Sequence, residues 1–438
     1  MDPPIRIISL EVAAFFEAEN LLSPPAGGKR LIISPSALST SSATETSSAS
    51  SAADAAQEAV DEIEIPEILN SLETYEFIGF NHSMATKLWN IFCATPQDSP
   101  DDFMDHAWFQ IEKTGVQDAT CLSDDWVGVM DALGINKTLQ TAILLREFSD
   151  LRSTASCKFW LLNTMEALYD TLRKLNDNLG VKRAIRQRAK VMPEHRDSIS
   201  GRSPPPGIGA DYTSSMAAPI KPTPTVASAG EAPLTLDNHR MIWTACTKIA
   251  AEEFCGTDST HLKIEPVSRL PGDFDWGRKL AYWSPQKETA DRYAQWLRHK
   301  LPITEIAIMQ VAVPEDLISH LSVTHLWSDG SREESDTWRQ VIWYCRRGKR
   351  FPKEFRHLKS KDLWIGHIAS GINIKYEAMS NHNEIKPSDV LTVEIDGMQR
   401  KAIQWVFHTD DASEKFCERC AGKVWIHPFG PLVSQKRA

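Results

Sequence analysis

The chain has 438 residues, of which 42% are hydrophobic and 24% are charged, as is typical of a globular protein large enough for two domains. Its formal net charge of -10 argues against a chain-wide surface for nucleic acid or anionic lipid, because both require positive charge. No uninterrupted apolar run of about 18 residues occurs, so the sequence predicts no membrane-spanning helix. The apolar N-terminal stretch contains acidic residues and lacks a basic start, which argues against a signal peptide.

Residues 1–65 are predicted to be mostly disordered. One short apolar segment runs from Ile5 to Phe16, and a tract composed almost entirely of serine, threonine and alanine follows, SPSALSTSSATETSSASSAADAAQ. Such a tract buries too little apolar surface to offset the entropy lost on ordering. We interpret it as a tether.

Residues 66–191 carry a helical pattern throughout. Apolar residues recur at spacings of three and four in several short segments, and a longer segment repeats leucines from Leu162 to Leu179. Short helices followed by a long one predict a helical bundle. No group of residues here has a catalytic spacing, so we expect the bundle to bind protein partners.

A basic patch ends the long predicted helix. It consists of Lys182, Arg183, Arg186, Arg188 and Lys190. Two interpretations stay open. In the first, the patch is a nuclear localisation signal or a phosphate-binding strip. In the second, it is a solvated helix end whose cations interact favourably with the negative end of the helix dipole. The first places the protein in the nucleus, and the second leaves it in the cytoplasm.

Residues 192–236 are rich in proline, serine, glycine and alanine, as in GRSPPPGIGADYTSS and KPTPTVASAG, and are predicted to be a disordered linker. This linker is expected to divide the chain into two independent parts. The second part, residues 237–430, holds ten of the 14 tryptophans, which predicts a dense aromatic core.

Short strand-like and helix-like segments alternate in residues 237–430. The predicted strands are His261–Val267, Lys279–Trp283, Ile303–Val313, Trp338–Cys345, Leu363–His367 and Lys401–His408. The predicted helices are Asp237–Phe254, Glu288–Lys300, Pro314–Leu321 and Asp411–Ala421, while Asp389–Glu394 fits either type. We therefore predict an α+β fold in which a helical bundle precedes a mixed, largely antiparallel domain.

Three motifs follow one another in this second part. GDFDWGRKLAYWSPQKETADRYAQWL precedes VIWYCRRGKRFP with DLWIGHIASG, and AIQWVFHTDDASEKF comes last. Over about residues 255–420 they resemble a poorly characterised fungal family, which is itself similar to the ADP-ribosyltransferase superfamily. The resemblance implies a split sheet with a cleft for NAD and an activity that transfers or hydrolyses ADP-ribose.

The same resemblance implies a set of site residues. The late-strand position that matches the superfamily pattern is Gln404, where active transferases carry a catalytic glutamate. In that superfamily, a polar residue on the first strand holds the adenosine ribose of NAD. Aromatic residues on the second strand and its helix stack on the nicotinamide ring. The residues implied for these cofactor contacts are His261 or Lys263, Tyr282, Ser284 and Tyr293. We expect Tyr282, Ser284 and Gln404 to line one cleft.

Gln404 leaves two functional hypotheses open. A neutral amide can bond a ribose hydroxyl but brings no full negative charge to an oxocarbenium-like transition state. The first hypothesis is an ADP-ribosyltransferase or NAD glycohydrolase, with Glu394, Asp396 or Asp410 as other sources of a carboxylate. The second is a catalytically inactive interaction or regulatory protein, in which the aromatic residues form core and Gln404 lies on a sheet face.

The eight cysteines are scattered except for Cys417 and Cys420, which favours a reduced intracellular protein. This pair has metal-ligand spacing and lies between His408 and His427. A zinc site needs two such pairs or a complete four-ligand set. We therefore interpret the pair as reduced cysteines packed in a helix, and we expect no metal.

Overall fold

The computed structural model of the chain describes residues 4–33, 62–96, 98–113, 125–191, 232–256, 261–269, 272–275, 277–371 and 373–430. The serine-rich tract and most of the predicted linker lie outside these residues, so their predicted disorder stays a prediction. Within the described ranges, no helix is both long enough and apolar enough to cross a membrane.

The first 33 residues form more regular structure than predicted. The Ser9 hydroxyl accepts a hydrogen bond from the Val12 amide and caps α1 (Leu10–Ala18). β1 (Lys29–Ile32) pairs antiparallel with β2 (Ile63–Pro66). Apolar side chains of these elements pack on leucines of a long helix more distant in the chain. The prediction of mostly disordered structure is therefore wrong for residues 4–33, because the stabilising contacts are not local.

Helices dominate the described residues between 72 and 191, as predicted. They are α2 (Leu72–Ile78), α3 (His82–Ala94), α4 (Phe103–Lys113), α5 (Trp126–Ala132), α6 (Lys137–Ile143), α7 (Ser149–Arg152) and the long helix α8 (Cys157–Val191). Several begin with a side chain that accepts a hydrogen bond from a backbone amide of the first turn, namely Ser71, Asn81, Asp125 and Asn136.

The second part mixes strands and helices. Its strands are β3 (His239–Thr247), β4 (Ser268–Arg269), β5 (Leu280–Ala281), β6 (Ile306–Pro314), β7 (Val323–Leu326), β8 (Leu363–His367), β9 (Thr392–Ile395), β10 (Met398–Lys401), β11 (Ile403–Phe407) and β12 (Val424–Pro428). Its helices are α9 (Lys248–Cys255), α10 (Lys287–Lys300), α11 (Glu315–His320), α12 (Arg332–Arg346), α13 (Arg356–Lys359), α14 (Asn373–Ala378) and α15 (Asp410–Cys420). The chain is therefore α+β, as predicted.

A short stretch of chain joins two three-stranded sheets. In one, β6 lies between β12 and β3 and pairs antiparallel with both; in the other, β8 pairs antiparallel with β11 and parallel with β7. Trp283 bridges to Trp405 of β11, and Ser284 bridges to Trp243 of β3. Residues 283–284 thus connect the edges of the two sheets. Strand pairing within the two sheets is mostly antiparallel, as predicted.

Two elements predicted near the start of the second part are wrong. Asp237–Phe254, predicted as one helix, contains β3 and then α9, and the Thr247 hydroxyl caps α9 by accepting from the Ala250 amide. β3 is stabilised by pairing along its length with β6, which is distant in the chain. His261–Val267, predicted as a strand, ends instead in a 3-10 turn over residues 265–267 that contains Pro266, which has no amide to donate.

A third wrong prediction concerns Trp338–Cys345, which lies in α12 and not in a strand. Aromatic and β-branched residues favoured a strand locally. Ser331 and Glu334 form a capping box that starts the helix. The buried residues of α12 follow helical spacing, namely Trp338, Val341, Ile342 and Cys345. The undecided segment Asp389–Glu394 leads into strand β9.

The two parts of the chain share one hydrophobic core, so the expectation of independent parts is wrong. Trp160 of α8 packs edge-on against Trp296 of α10, with ring centroids 4.4 Å apart. Phe148 lies against the same Trp296 ring with a centroid separation of 6.4 Å. The hydroxyls of Thr171 and Thr304 are 2.8 Å apart. The apolar cluster continues from the helices into β6, β9 and α10.

Lys300 lies inside this contact and is 2% exposed. Its Nζ lies 4.2 Å from the ring centroid of Trp160 and 4.0 Å from that of Trp296, and it has no hydrogen-bond partner among the described residues. Burial lowers the pKa of Lys300 to about 7, because the ammonium loses its hydration. The two ring faces offset part of that cost.

We expect the free energy of unfolding to rise with pH above neutrality because of Lys300. The unfolded chain keeps the Lys300 proton up to about pH 10.5, whereas the folded chain releases it near pH 7. The unfolded state therefore binds more protons between these values. The cost of the buried charge is fully present below pH 7 and is relieved as the pH rises towards 10.5.

Urea denaturation from about pH 6 to about pH 9 measures this slope. Lys300→Met removes the charge and keeps an apolar stem, so it should flatten the slope and stabilise the protein at the acidic end by on the order of 1–3 kcal/mol. Lys287→Met, at an exposed position of the same helix, is the matched control and should keep the wild-type slope. A slope that survives Lys300→Met unchanged would contradict this assignment.

Candidate functional site

Tyr282, Ser284 and Gln404 lie on one face of the joined sheets. Trp283 and Trp405 exchange backbone hydrogen bonds in an antiparallel bridge, so Ser284 is opposite Gln404. Tyr282 shares that face because side chains alternate along a strand. The segment that carries Tyr282 and Ser284 and the strand that carries Gln404 are therefore neighbours, although they are distant in the chain.

Gln404 is tied into a buried network on this face. It is 4% exposed, and its Nε2 donates to Asp273 Oδ2 at 3.0 Å and to the His367 carbonyl at 3.4 Å. The Trp338 indole of α12 donates to the same carbonyl at 3.1 Å. The amide at the position that was predicted to be catalytic thus serves internal contacts.

Tyr282 and Ser284 also have partners inside the protein. The Phe274 amide donates to Tyr282 Oη at 3.4 Å, and burial raises the pKa of Tyr282 well above its usual value. The Gln286 amide donates to Ser284 Oγ at 3.1 Å, just before α10 begins. All three residues that share this face are therefore engaged within the fold.

A buried ion pair anchors the network. Arg346 Nε lies 2.8 Å from Asp273 Oδ1, and each side chain is 4% exposed. Asp273 Oδ2 accepts from the Ala369 amide at 2.7 Å, and Arg346 Nη2 donates to the Ala369 carbonyl at 2.9 Å. The pair therefore joins the loop before β5, helix α12 and the segment after β8. Neither residue was predicted as a site residue, although Asp273 lies in the GDFDW motif.

His261 and Lys263 lie apart from this network. Both are exposed in the segment between α9 and the 3-10 turn at residues 265–267. Leu262, between them, packs in the cluster that contains Trp283, on the opposite side of the sheet from Gln404. The prediction that His261 and Lys263 lie on the first strand of the second part is therefore wrong. The first strand described there is β3, and His261 and Lys263 lie outside any strand.

Tyr293 faces the helical part of the chain. Its hydroxyl donates to Thr154 Oγ1 at 3.2 Å, and burial raises its pKa to about 12. The adjacent Arg292 lies 3.3 Å from Asp150 Oδ1. Tyr293 thus contributes to the contact between the two parts of the chain.

The alternative carboxylates are at the surface. Glu394, Asp396 and Asp410 are all exposed. The carboxylate that the Gln404 amide meets is that of Asp273. None of these three residues therefore places a carboxylate beside the buried amide of Gln404.

An open depression lies where β8 ends and β11 begins. Its volume is about 530 Å³. Its lining residues are Gln286, Asp329, His367, Ile395, Gln399, Arg400, Lys401 and Ile403. His367 pairs with Ile403 across β8 and β11, one position from Gln404, so the depression is on the opposite face from Gln404. Sequence analysis singled out none of its polar residues.

Hydrogen bonds and ring packing fix the side chain of His367. The Ser328 amide and hydroxyl each lie 3.0 Å from His367 Nδ1, and the Trp327 ring packs edge-on with centroids 5.0 Å apart. Lys401 Nζ donates to Ser328 Oγ at 2.9 Å and lies 2.8 Å from Asp329 Oδ2. Burial lowers the pKa of His367 to about 4, so its imidazole is neutral near pH 7. Ser328, Asp329, His367 and Lys401 come from three separate segments of the chain. No local sequence pattern therefore predicts this cluster.

The cysteine pair is buried in α15. Burial raises the pKa of the Cys417 thiol to about 12, which keeps it protonated. His408 stacks on Trp364 with centroids 4.3 Å apart, and His427 Nε2 lies 2.9 Å from Gln310 Oε1. In the part of the chain that the structure describes, no group of three or more histidine, cysteine or acidic side chains is arranged to hold a metal ion.

Cations of the basic patch pair with acidic residues of the same chain. Arg183 Nη2 lies 2.6 Å from Glu11 Oε1 of α1, and Lys182 Nζ lies 3.8 Å from Glu305 Oε1. Burial lowers the pKa of Lys182 to about 8. These contacts hold α1 and the second part against α8. The nuclear localisation signal stays a prediction.

Comparison of the chain with models of known protein families, with curated proteins and with solved structures finds no match. Functional inference therefore rests on the described residues themselves. They form two contrasting arrangements, a filled face around Gln404 and an open depression beside His367. The first is closed by contacts within the protein, and the second is open to solvent.

We expect Arg346→Met to destabilise the protein by about 3–5 kcal/mol, because it leaves the Asp273 carboxylate buried without its cation. Asp273→Asn combined with Arg346→Met should recover part of this loss, since neither charge then remains. Urea denaturation measures both variants. Arg419→Met breaks a surface pair with Asp316 and is the matched control, with an expected cost of no more than about 1 kcal/mol. Equal costs for Arg346→Met and Arg419→Met would show that the buried pair is not needed for stability.

Proposed function

We propose that this chain is a non-catalytic protein that binds or regulates protein partners. In this proposal the second part is a split-sheet domain of the ADP-ribosyltransferase type in which the catalytic glutamate position has become a structural glutamine. The observation that supports it is the buried hydrogen bond from Gln404 to Asp273.

The chemistry of ADP-ribose transfer argues for this choice. Cleavage at the nicotinamide ribose passes through an oxocarbenium-like state, which needs a carboxylate near developing positive charge. Gln404 brings a neutral amide, and Asp273 already balances Arg346. NAD could approach Gln404 only by displacing these buried contacts, which would leave charged groups unpaired.

The helical part offers a surface for a protein partner. Ile91 of α3 and Trp108 of α4 are each 42% exposed, and the two helices pack against each other. Exposed large apolar residues, aromatic ones above all, are typical of protein-binding surfaces.

An ADP-ribosyltransferase or NAD glycohydrolase is the second candidate. The observation that favours it is that Tyr282, Ser284 and Gln404 share one face on neighbouring strands. NAD would be the substrate, and no metal would be needed. We rank it second because all three side chains are engaged inside the protein.

We expect isothermal titration of the full chain with NAD to give no binding heat at millimolar concentration, and we expect no release of nicotinamide. Gln404→Ala should lower the free energy of unfolding by about 1–3 kcal/mol, because Asp273 loses a buried donor. Gln187→Ala, which truncates an exposed glutamine of α8, is the matched control and should leave stability within about 0.5 kcal/mol of wild type. Nicotinamide release that Gln404→Ala abolishes in a folded protein would overturn the proposal in favour of the second candidate.

A further inference from the structure

The protonation state of His367 follows from its neighbours. The backbone amide of Ser328 can only donate, and it points at His367 Nδ1 from 3.0 Å. Nδ1 must therefore be an acceptor. A neutral imidazole with an accepting Nδ1 carries its proton on Nε2. Burial favours this neutral form, as the lowered pKa of His367 indicates.

The Nε2–H group of His367 is a donor without an acceptor among the described residues. The side chain is 6% exposed and lines the depression. The hydrogen bonds of its ring are both made at Nδ1, with the amide and hydroxyl of Ser328. The Nε2 atom itself is open to solvent, because it is not among the buried polar atoms of the described residues that lack a partner. The depression is therefore the place from which an acceptor would reach it.

Lys401 adds a second donor to the same depression. Its ammonium has three N–H groups; one is directed to Ser328 Oγ and another to Asp329 Oδ2. One N–H group remains for a ligand. Arg400 is exposed at the rim. The lining thus carries two cations against the single carboxylate of Asp329, in a chain whose net charge is -10.

We propose that this depression binds the oxyanion group of a small molecule, a phosphate or a carboxylate. His367 Nε2 and Lys401 Nζ donate to the oxyanion, and Arg400 adds positive charge at the rim. Ser328 positions both donors, since it contacts each of them. The depression is open to solvent, so an anion can reach both donors. The inference does not depend on the proposed function, because the depression and Gln404 are on opposite faces.

The test is isothermal titration of the full chain with inorganic phosphate and, separately, with acetate. We expect at least one of them to bind with a dissociation constant in the millimolar range or tighter, and the tighter of the two identifies the class of oxyanion. Lys401→Met should weaken that binding by at least about tenfold. Lys415→Met, which removes an exposed lysine of α15, is the matched control and should leave binding unchanged.

Two further measurements keep the proposal testable if Lys401→Met or His367→Phe folds poorly. Arg400→Met alters an exposed side chain and should weaken binding while the unfolding midpoint stays the same. Acetate binding should also change little from about pH 8 to about pH 6, because a neutral His367 donates in both conditions. No binding of either anion, or binding that Lys401→Met and Arg400→Met leave intact, would overturn the proposal. NAD hydrolysis would overturn only the proposed function.

Discussion

The buried ion pair between Asp273 and Arg346 is the interaction on which the second part of the chain depends. Both charges are removed from water, which is costly unless every donor and acceptor finds a partner. Asp273 meets this demand with Arg346, Gln404 and the Ala369 amide, and Arg346 also holds the Ala369 carbonyl. A loop, a helix and the end of a strand are thereby fixed to each other.

This pair also accounts for the residue type at position 404. Gln404 Nε2 donates to Asp273 Oδ2 at 3.0 Å, and a glutamate there would place a second carboxylate against the first. One arginine cannot balance two adjacent buried carboxylates, so one of them would be held protonated. A glutamine satisfies Asp273 and keeps the site neutral overall. The neutral amide that lacks the charge for the predicted transfer of ADP-ribose is thus the group that Asp273 accepts from.

Sequence analysis located α10, β6, β8, β11 and α15 because each carries its own pattern of alternation or helical spacing. It failed at α12, where aromatic and β-branched residues suggested a strand although the Ser331 capping box and the spacing of Trp338 and Val341 favour a helix. It predicted that Tyr282, Ser284 and Gln404 line one cleft. They share one face, but that face is filled, and Asp273, the partner of Gln404 there, is fixed by Arg346, far along the chain. No local pattern reports that contact, and the same holds for Ser328, His367 and Lys401.

The two faces of the β8 and β11 pair meet different demands. On the Gln404 side, α12 lies across the strands, so Trp338 and Arg346 fill the space that a ligand would need. On the His367 side, the β9 and β10 hairpin borders the depression and leaves it open. Donors that face open space remain available to a ligand, whereas donors buried against carbonyl and carboxylate groups do not. A ligand of this domain is therefore to be sought on the face that carries His367 and Lys401, and not on the face that carries Gln404.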